Sequence, residues 1–341
     1  MGKRFFPPEW YPQSFVQLTW PHEGTDWGRY IADTERCFLD IASEIVKKEK
    51  LLIVAKDVDR VKKLTQRLNQ DRIIYFQTDN NDTWARDHGG ITVIEDGFPV
   101  VLNYRFNGWG LKFPSNFDNQ ITKNIFESGI FPSASLEHHH DFVLEGGSIE
   151  SDGEGTILTT TQCLLSKNRN EHLSRTDVEA RLKRDLGVER VIFLNHGFLK
   201  GDDTDSHIDT LARFCKKDTI CYVKSYNKKD LHHEELEKMG EELMELRQLN
   251  GEKYNLIPLP MCPEIYYEGE RLPATYANFL IINGAVLLPV YNVETDFEAI
   301  TIFKSIFPER DIVPIDCSVL IRQHGSLHCV TMQYPKEVGN E

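Results

Sequence analysis

Residues 277–289 have the sequence ANFLIINGAVLLP, two apolar runs joined by Asn283-Gly284. Asn-Gly is typical of two-residue hairpin loops, because both positions readily adopt the positive φ angles that such loops need. The flanking runs are rich in aliphatic residues and long enough for strands. The stretch therefore predicts a β-hairpin in which residues 277–282 pair with residues 285–289.

Similar strand pairs recur along the chain and alternate with helical patterns. Further hairpins are predicted at 90–94 with 100–104, 148–150 with 156–160, and 208–214 with 219–223, and a last one starts at Ser326 and includes Cys329. Single strands are predicted at 51–55, 73–76, 191–194, 255–259, 276–278 and 312–315. Helical spacing of apolar residues predicts helices at 34–48, 57–70, 116–128, 176–186, 231–249 and 295–307.

The spacing of these patterns indicates a repeat. Hairpins start roughly every 50–70 residues, which predicts an α/β fold of five strand–strand–helix–strand units in one catalytic domain, residues 1–341. Such units can close into a ring, like propeller blades, so that equivalent loops share one central mouth. We predict a polar loop at His138, His139 and His140, since three adjacent histidines do not easily converge on one metal ion.

The bulk composition restricts the partners. The chain has 39 Lys and Arg against 53 Asp and Glu, a formal net charge of -14, which argues against nucleic acid because phosphate binding needs clustered cations. An acidic surface instead attracts cationic ligands. No apolar run reaches the roughly 20 residues of a membrane span, no secretory signal is evident, and seven scattered cysteines argue against disulfides. We therefore expect a cytoplasmic protein without a membrane partner.

Cys329 differs from the other cysteines in its neighbours. It follows His328, and Gly325 and Ser326 loosen the approach to it. A free thiol has a pKa of about 8.5, so a nucleophilic cysteine needs a base or a nearby cation. The alternative, a small buried apolar side chain, is our interpretation of Cys37, Cys163, Cys215, Cys221, Cys262 and Cys317.

His207 lies in an acidic segment, DDTDSHID, at residues 202–209. Nearby carboxylates favour a protonated imidazole. If His207 and Asp209 lie on one strand, their side chains face the same way. The alternative is a calcium loop made by the aspartates of residues 202–205, but the EF-hand spacing with its closing Glu is absent. We therefore favour a catalytic site over a metal site.

Two further carboxylates precede predicted hairpins. Asp87 follows Trp84-Ala85-Arg86, and Glu145 precedes Gly146-Gly147. Each could be an ordinary turn or salt-bridge residue. Their shared position, directly before a hairpin in successive units, favours a common role.

A guanidinium group fits this set of one thiol, one imidazole and several carboxylates. It is planar, and its paired N–H groups can donate to two carboxylates in parallel. Its central carbon is electron-poor but resonance-stabilised, so it requires a strong nucleophile. The cation would also lower the pKa of an adjacent thiol, and His207 could protonate departing ammonia and then activate water. This chemistry requires neither a metal nor an organic cofactor.

Four motifs, TWARDHGG, EGGSIESDGEGT, GDDTDSHIDTLARF and GSLHCVTMQYP, together with the opening PPEWYPQSFVQLTWPHEGTDW, closely resemble the agmatine deiminases of the porphyromonas-type peptidylarginine deiminase group. The resemblance runs from about residue 7 to residue 335. It implies the pentein fold, a five-bladed α/β propeller. It also implies hydrolysis of agmatine to N-carbamoylputrescine and ammonia, a step of polyamine synthesis.

The resemblance also assigns roles to single residues. Cys329 is similar to the family's nucleophile and His207 to its general acid/base, while Glu145, Asp209 and Asp87 match its partners of the guanidinium. Trp84 and Arg86 match the same motif as Asp87 and are expected near the substrate or in a structural role.

Three positions depart from the family pattern. The family has a Gly-rich run before its cysteine, where this chain has Arg322-Gln323-His324-Gly325-Ser326. Ser206 replaces a Gly before the histidine, and Glu150 replaces a His after EGGSI. We expect these changes at the substrate entrance, where they affect specificity more than chemistry.

Alternative functions share the same residues. A deiminase of free arginine, peptidyl arginine or another guanidino compound would keep the chemistry, although an arginine enzyme would need a cation near the substrate carboxylate. The acidic residues 202–205 instead favour a distal ammonium. A catalytically idle protein that binds a polyamine-like cation is a third possibility. The expected partner is a small cationic guanidino substrate, and a homodimer is one assembly that we consider.

Overall fold

The structure, a computed structural model, describes residues 2–339, so Met1, Asn340 and Glu341 of the predicted domain lie outside the described residues. Its strands, in chain order, are β1 (Arg4–Phe5), β2 (Gln13–Thr19), β3 (Lys50–Ala55), β4 (Ile73–Gln77), β5 (Ile91–Glu95), β6 (Phe98–Arg105), β7 (Ser135–Val143), β8 (Glu150–Ser151), β9 (Thr156–Thr160), β10 (Arg190–Leu194), β11 (Ala212–Lys216), β12 (Thr219–Lys224), β13 (Asn255–Pro260), β14 (Tyr266–Tyr267), β15 (Glu270–Arg271), β16 (Leu280–Ile282), β17 (Ala285–Val290), β18 (Asp311–Asp316) and β19 (Thr331–Pro335).

The helices are α1 (Ile31–Lys48), α2 (Val58–Thr65), α3 (Ala85–His88), α4 (Gly108–Leu111), α5 (Asp118–Glu127), α6 (Thr161–Leu164), α7 (Lys167–Asn170), α8 (Arg175–Leu186), α9 (His233–Glu245) and α10 (Asp296–Ile306). All six predicted helices are present, although α2 is shorter than predicted. α4 is one irregular turn, because Trp109 and Gly110 have φ angles of 55° and 83°. Across residues 2–339 we find no helix with the length and apolar character needed to cross a bilayer.

Five mixed sheets share one connectivity, which confirms the predicted repeat. In each unit two strands pair antiparallel, and a helical connection then leads to a strand parallel to the second. Unit 1 consists of β5, β6 and β7, unit 2 of β8, β9 and β10, unit 3 of β11, β12 and β13, unit 4 of β16, β17 and β18, and unit 5 of β19, β2 and β3. Unit 5 joins the two ends of the chain, because β19 pairs with β2.

Several predicted strand starts were wrong. Residues 276–277 form a turn and Asn278 lies outside any strand, β8 begins only at Glu150, and β11 begins only at Ala212. Cys329 lies in a turn before β19, and β19 pairs with the N-terminal β2 rather than with a neighbouring strand. The strands before β8 and β11 were predicted too long because these residues form 3-10 turns, whose N–H groups bond to carbonyl groups of the same turn instead of to a sheet ladder.

The third strand of unit 1 was missed. β7 contains His138, His139 and His140, so the prediction of a polar loop there was wrong. Most of its residues are exposed or only partly buried, which explains the absence of an apolar run. In contrast, the predicted strand at residues 73–76 is β4, a fourth strand that extends unit 5 beyond β3.

The central strands are buried on both faces. In β17, Leu287 and Leu288 are fully buried although they point to opposite sides of the sheet. The helix α10 covers one side, where Phe303 packs edge-to-face on Phe279 with ring centroids 4.8 Å apart. This burial of whole strands explains why continuous apolar runs located them correctly in the sequence.

The segments before the first strand of each unit form a closed circuit. We call them the pre-hairpin segments, residues 82–90, 144–149, 200–211, 273–279 and 324–330. Each segment contacts the next one. Gly147 N of the second segment donates to Asp87 of the first, and Gly147 also abuts His207 of the third. Thr275 Oγ1 of the fourth donates to Thr210 O of the third, His328 N of the fifth donates to Asn278 of the fourth, and Arg86 N of the first donates to Cys329 O of the fifth. The contacts therefore gather residues from most of the chain in one place, as the repeat predicts.

Shortening a buried side chain in unit 4 tests the importance of this core. Leu287→Ala should lower the free energy of unfolding by about 2–5 kcal/mol, because it leaves a cavity in a fully buried strand. The control is Phe98→Ala, at a side chain that is 71% exposed, which should change it by about 0.5 kcal/mol or less. Denaturant unfolding measures both, and equal losses would contradict this account of the core.

Candidate active site

Cys329 lies at the inner end of a pocket and is 4% exposed. Its Sγ atom is 3.2 Å from Asn278 Nδ2 and 3.9 Å from Asp209 Oδ2. Burial, and then the negative charges of Asp209 and Asp87, raise the pKa of the Cys329 thiol well above its usual value. The thiol is therefore protonated at neutral pH when the pocket holds no cation.

His207 does not lie on a strand, so the prediction that strand parity aligns it with Asp209 was wrong. His207 precedes a 3-10 turn, Ile208–Thr210. The two side chains nevertheless meet around Gly147: a Cβ atom there would lie 2.7 Å from His207 Nδ1, 2.8 Å from Asp87 Oδ1 and 3.1 Å from Asp209 Oδ2. Glycine at this position is what allows the three groups to come together.

The imidazole of His207 is positively charged at neutral pH. Burial alone would lower its pKa, but the carboxylate of Asp87, 3.6 Å from Nδ1, followed by the Cys163 sulfur and the charge of Glu145, raises the pKa of His207 to about 10. Neither ring nitrogen is hydrogen-bonded to another residue in the described part of the chain. Both nitrogens can therefore bond to a substrate or to water.

Asp87 is buried and partly protonated at neutral pH. Its Oδ2 accepts a hydrogen bond from Trp109 Nε1 (2.9 Å), and its Oδ1 accepts one from Gly147 N (3.1 Å). Burial raises the pKa of Asp87 to about 6, with His207 opposing the shift and Asp209 adding to it. A cation that bonds to Asp87 would lower this pKa again.

Glu145 is held by an arginine that the sequence did not single out. Arg169 Nε lies 2.9 Å and 3.1 Å from the two Glu145 oxygens, and both side chains are fully buried. Ligand atoms of Glu145, Cys163 and His207 lie within 4.8 Å of one another, a spacing that could hold a metal ion. Because Arg169 occupies the carboxylate and adds a positive charge, we favour an acid/base role for this cluster.

Asp209 belongs to a second buried network. Its Oδ2 is 2.7 Å from His328 Nδ1, and His328 Nε2 is 2.6 Å from Glu9 Oε2. Burial alone would raise the pKa of Asp209, but the hydrogen bond and charge of His328 outweigh it and keep the pKa below its usual value. Asp209 is therefore ionised and faces the thiol.

Glu150 does not line the substrate entrance, so that prediction was wrong. Its carboxylate is buried against the guanidinium of Arg213, which also bonds to Glu9 at 2.9 Å. Arg213 further donates to the carbonyl groups of Ala277 and Phe279. Glu150 thus lies in the interior as the ion-pair partner of the large, buried Arg213 side chain.

Arg86 and Trp84 lie on different sides of α3. Arg86 is buried near Glu9 and Met332, with its Nη2 atom 3.6 Å from Glu9 Oε2, and it does not line the Cys329 pocket. Trp84 does line that pocket, and its indole donates to Asp82. Together with Trp109 and Phe113 it forms an aromatic wall.

The pocket has a volume of about 120 Å³ and an acidic mouth. Asp26, Asp82 and Asp203 line it, together with His324 and Gln323. Neither Lys nor Arg occurs among its lining residues in the described part of the chain. The pocket therefore offers carboxylates both at the thiol and toward its opening.

Two departures from the family pattern lie where the backbone is left-handed. Ser206 has a φ of 65° and His324 a φ of 67°, values that favour glycine. Ser206 is buried, whereas His324 lines the pocket and its Nδ1 bonds to Gly201 O (2.6 Å). The prediction of an entrance position is therefore confirmed for His324 and wrong for Ser206.

Sequence reasoning missed several residues of the site. Glu9, Asn278, Arg169, Trp109 and Arg213 bond to predicted site residues, or to each other, across unit boundaries. Glu9 is part of the PPEWYP motif, which was noted only for its family resemblance. Local sequence could not indicate these partners, since each acts through a residue far away in the chain.

Comparisons with known proteins show the family of this chain. A model of the porphyromonas-type peptidyl-arginine deiminase family matches residues 5–335. The chain belongs to this family. It is 30% identical to the agmatine deiminase of Pseudomonas aeruginosa (strain LESB58), over 96% of this chain and 95% of that protein. The α/β fold is that of the pentein superfamily.

Two solved structures share nearly the whole fold. One, from Porphyromonas gingivalis and provisionally named an arginine deiminase, is 51% identical, with a TM-score of 0.94 over 98% of this chain and 99% of that one. The other, an agmatine deiminase from C. jejuni with substrate bound, is 38% identical, with a TM-score of 0.92 over 98% and 96% of the two chains.

The raised pKa of Cys329 predicts low reactivity toward a neutral reagent. Iodoacetamide should alkylate Cys329 slowly at neutral pH and faster as the pH rises, since only the thiolate reacts. Asp209→Asn should increase the rate at a given pH, because the Asp209 charge contributes to the raised pKa. Peptide mass spectrometry measures the labelling, with Asp59→Asn at an exposed position as control. A slower reaction in Asp209→Asn would contradict this explanation.

Proposed function

We propose that this protein is a hydrolase that converts agmatine to N-carbamoylputrescine and ammonia. The observation that carries the proposal is the pocket itself: it is lined by the Cys329 thiol, by the buried Asp87 and by carboxylates at its mouth, and Asp209 lies 3.9 Å from the thiol. A molecule with a guanidinium at one end and an ammonium at the other satisfies both ends. The family membership and the agmatine deiminases among the relatives support this assignment.

Asp87 and Asp209 are the proposed partners of the guanidinium. They approach Gly147 from two sides, and Asp209 also contacts the Cys329 thiol. Two carboxylates can accept paired N–H groups in parallel and so fix the plane of the guanidinium. This orientation presents the central carbon to the thiol. Such positioning of the reacting groups is a large part of the rate enhancement by an active site.

The substrate charge generates the nucleophile. With the pocket empty, burial and then the charges of Asp209 and Asp87 hold the thiol in its protonated form. A guanidinium between these carboxylates cancels their effect and lowers the pKa of Cys329. The thiol releases its proton to solvent, and the thiolate adds to the guanidinium carbon, so that a C–S bond forms while the C=N π electrons move to nitrogen. Activation thus depends on the presence of the cation.

His207 is the proposed general acid and then the general base. Its proton is transferred to the departing nitrogen, which leaves as ammonia, and a thiouronium-type intermediate remains on Cys329. His207 can then take a proton from water as the water attacks the same carbon. Breaking the C–S bond releases the ureido product. Glu145, held by Arg169, stabilises the imidazolium through its charge.

The mouth of the pocket favours agmatine over arginine. Asp203 and Asp26 suit a distal ammonium, whereas an α-carboxylate would meet negative charge. Trp84 and Phe113 pack along the methylene chain between the two ends. We also keep a homodimer and a cytoplasmic location as predictions; light scattering of the purified protein measures the first.

A substrate panel tests the proposal. Agmatine should release ammonia with a much higher kcat/KM than arginine, a capped arginine peptide or methylated arginine, because only agmatine has cations at both ends. Cys329→Ala should abolish release while agmatine binding persists in calorimetry, since the carboxylates are retained. Arginine as the preferred substrate would refute the specificity, and turnover by Cys329→Ala would refute the mechanism.

A substitution of Asp203 tests whether the pocket mouth recognises the distal ammonium. Asp203→Asn should raise KM for agmatine by roughly three- to tenfold with little change in kcat, because it removes one partly exposed charge from the mouth. KM for a guanidine without the ammonium, such as butylguanidine, should not change. Asp59→Asn, at an exposed site on α2, is the matched control. An equal rise for both substrates would contradict a role in ammonium binding.

A further inference from the structure

The run His138-His139-His140 has no part in the proposed reaction. It lies in β7, which in the described part of the chain pairs only with β6 and so forms the edge of its sheet. Successive side chains of a strand point to opposite faces. His139 is accordingly buried against Tyr104 and Asp185, whereas His138 and His140 are exposed. The strand thus divides the run into one buried imidazole and two exposed ones.

His138 and His140 meet on the exposed face of the strand. His138 Nδ1 lies 3.0 Å from His140 Nε2, and the two rings stack with their centroids 5.1 Å apart. Asn103, which faces His138 from β6, has its Nδ2 atom 3.3 Å from the same His138 nitrogen. Two imidazole nitrogens of one strand therefore lie side by side at the surface.

The hydrogen bond between the two rings contains one proton, and His140 carries it. With this orientation of the Asn103 amide, His138 Nδ1 accepts a hydrogen bond from Nδ2, because an amide nitrogen only donates. His138 Nδ1 then has no proton of its own, so the bond between the rings is donated by His140 Nε2. A metal ion can take the place of that proton if the proton moves to the other nitrogen of the His140 ring.

The spacing of the two nitrogens indicates a coordination geometry. Bonds from imidazole to a divalent metal are about 2.1 Å long, so two such bonds at a right angle place the nitrogens about 3.0 Å apart, and two at the tetrahedral angle about 3.4 Å apart. Right-angled ligands are typical of Cu²⁺ and Ni²⁺, and tetrahedral ligands of Zn²⁺. The observed 3.0 Å fits the first class.

The surroundings keep His140 uncharged. Partial burial, and then the charges of His138, Lys123 and Arg105, lower the pKa of His140 below its usual value. The neutral imidazole is the form that binds metal ions. The same positive charges also repel a divalent cation, so we expect binding to require both imidazoles.

We propose that His138 Nδ1 and His140 Nε2 chelate a divalent transition-metal ion of the Cu²⁺ and Ni²⁺ class at the edge of unit 1, with water in its remaining positions. The site goes beyond the proposed function, since neither histidine lines the Cys329 pocket. In the free protein the hydrogen bond between the rings holds both ligands in place, which reduces the entropic cost of binding.

Binding involves no change of oxidation state. The ion accepts one lone pair from each imidazole and releases two of its water ligands to the solvent. The proton of His140 moves from Nε2 to Nδ1 of the same ring, so both imidazoles stay neutral. The chelate therefore needs neither a thiolate nor a carboxylate.

Calorimetric titration with nickel chloride at neutral pH tests the chelate. His138→Ala and His140→Ala should each weaken Ni²⁺ binding roughly tenfold or more, because the second imidazole then no longer binds intramolecularly. His172→Ala, at another exposed histidine, is the matched control and should bind as the wild-type protein does. Cys329→Ala should also bind normally. Magnesium chloride should give no signal at this site, since Mg²⁺ prefers oxygen ligands.

Pulsed EPR of the Cu²⁺-loaded protein identifies the ligands directly. The outer nitrogen of each coordinated imidazole modulates the signal, so the wild-type protein should show two coupled imidazoles. His138→Ala and His140→Ala should each lose the two-imidazole signal, and His172→Ala should keep it.

Three results would overturn the site. Equal Ni²⁺ affinities of the wild-type protein and both variants would place the ion elsewhere, and a loss in only one variant would indicate binding by a single imidazole. A signal from one imidazole in the wild-type protein would show that the two rings share only a hydrogen bond. This last measurement uses the unaltered chain, so it decides even if the variants fold poorly.

The metal site and the proposed function fail separately. Absence of ammonia release from agmatine would refute the proposed function and leave the Ni²⁺ titration unchanged. Loss of the chelate in His138→Ala should in turn leave the turnover of agmatine unchanged, because the substitution is remote from the Cys329 pocket.

Discussion

The guanidinium of Arg213 is the charge on which the centre of this protein depends. It is fully buried between Glu9 and Glu150 and also bonds to carbonyl groups of unit 4. Burying carboxylates without such a partner would be very costly. Because Arg213 neutralises them, Glu9 from the N-terminal segment can reach His328, and His328 can hold Asp209 at the thiol.

In the absence of a ligand the site has an excess of negative charge. This excess contributes to the raised pKa values of its groups. Burial, and then the charges of Asp209 and Asp87, raise the pKa of the Cys329 thiol, and burial with the charge of Asp209 raises the pKa of Asp87 to about 6. A bound guanidinium relieves both effects. Recognition of the cation and activation of the nucleophile are therefore one electrostatic event, which protects the thiol from reaction when no substrate is present.

Backbone conformation affects the proposed catalytic groups and the substrate entrance at different positions of this site. Gly147 leaves space for three functional side chains, and Gly325 lies against Trp84, where a Cβ atom would come within 2.2 Å of the indole. Ser206 and His324 adopt left-handed conformations that favour glycine. Of these two residues His324 faces the pocket, as does its neighbour Gln323, so a substrate can meet the departure from the family pattern at these two positions.

The sequence by itself determined the repeat and the central strands, and it indicated the residues that we propose for the reaction. Buried strands and amphipathic helices leave local patterns, and the thiol, imidazole and carboxylates stand in distinctive motifs. Only the tertiary structure decided where the loops end, that His138–His140 belong to a strand, and that Glu150 lies in the core. It also brought Glu9 to His328, 319 residues away. Such pairings depend on the closure of the five units, which no local pattern encodes.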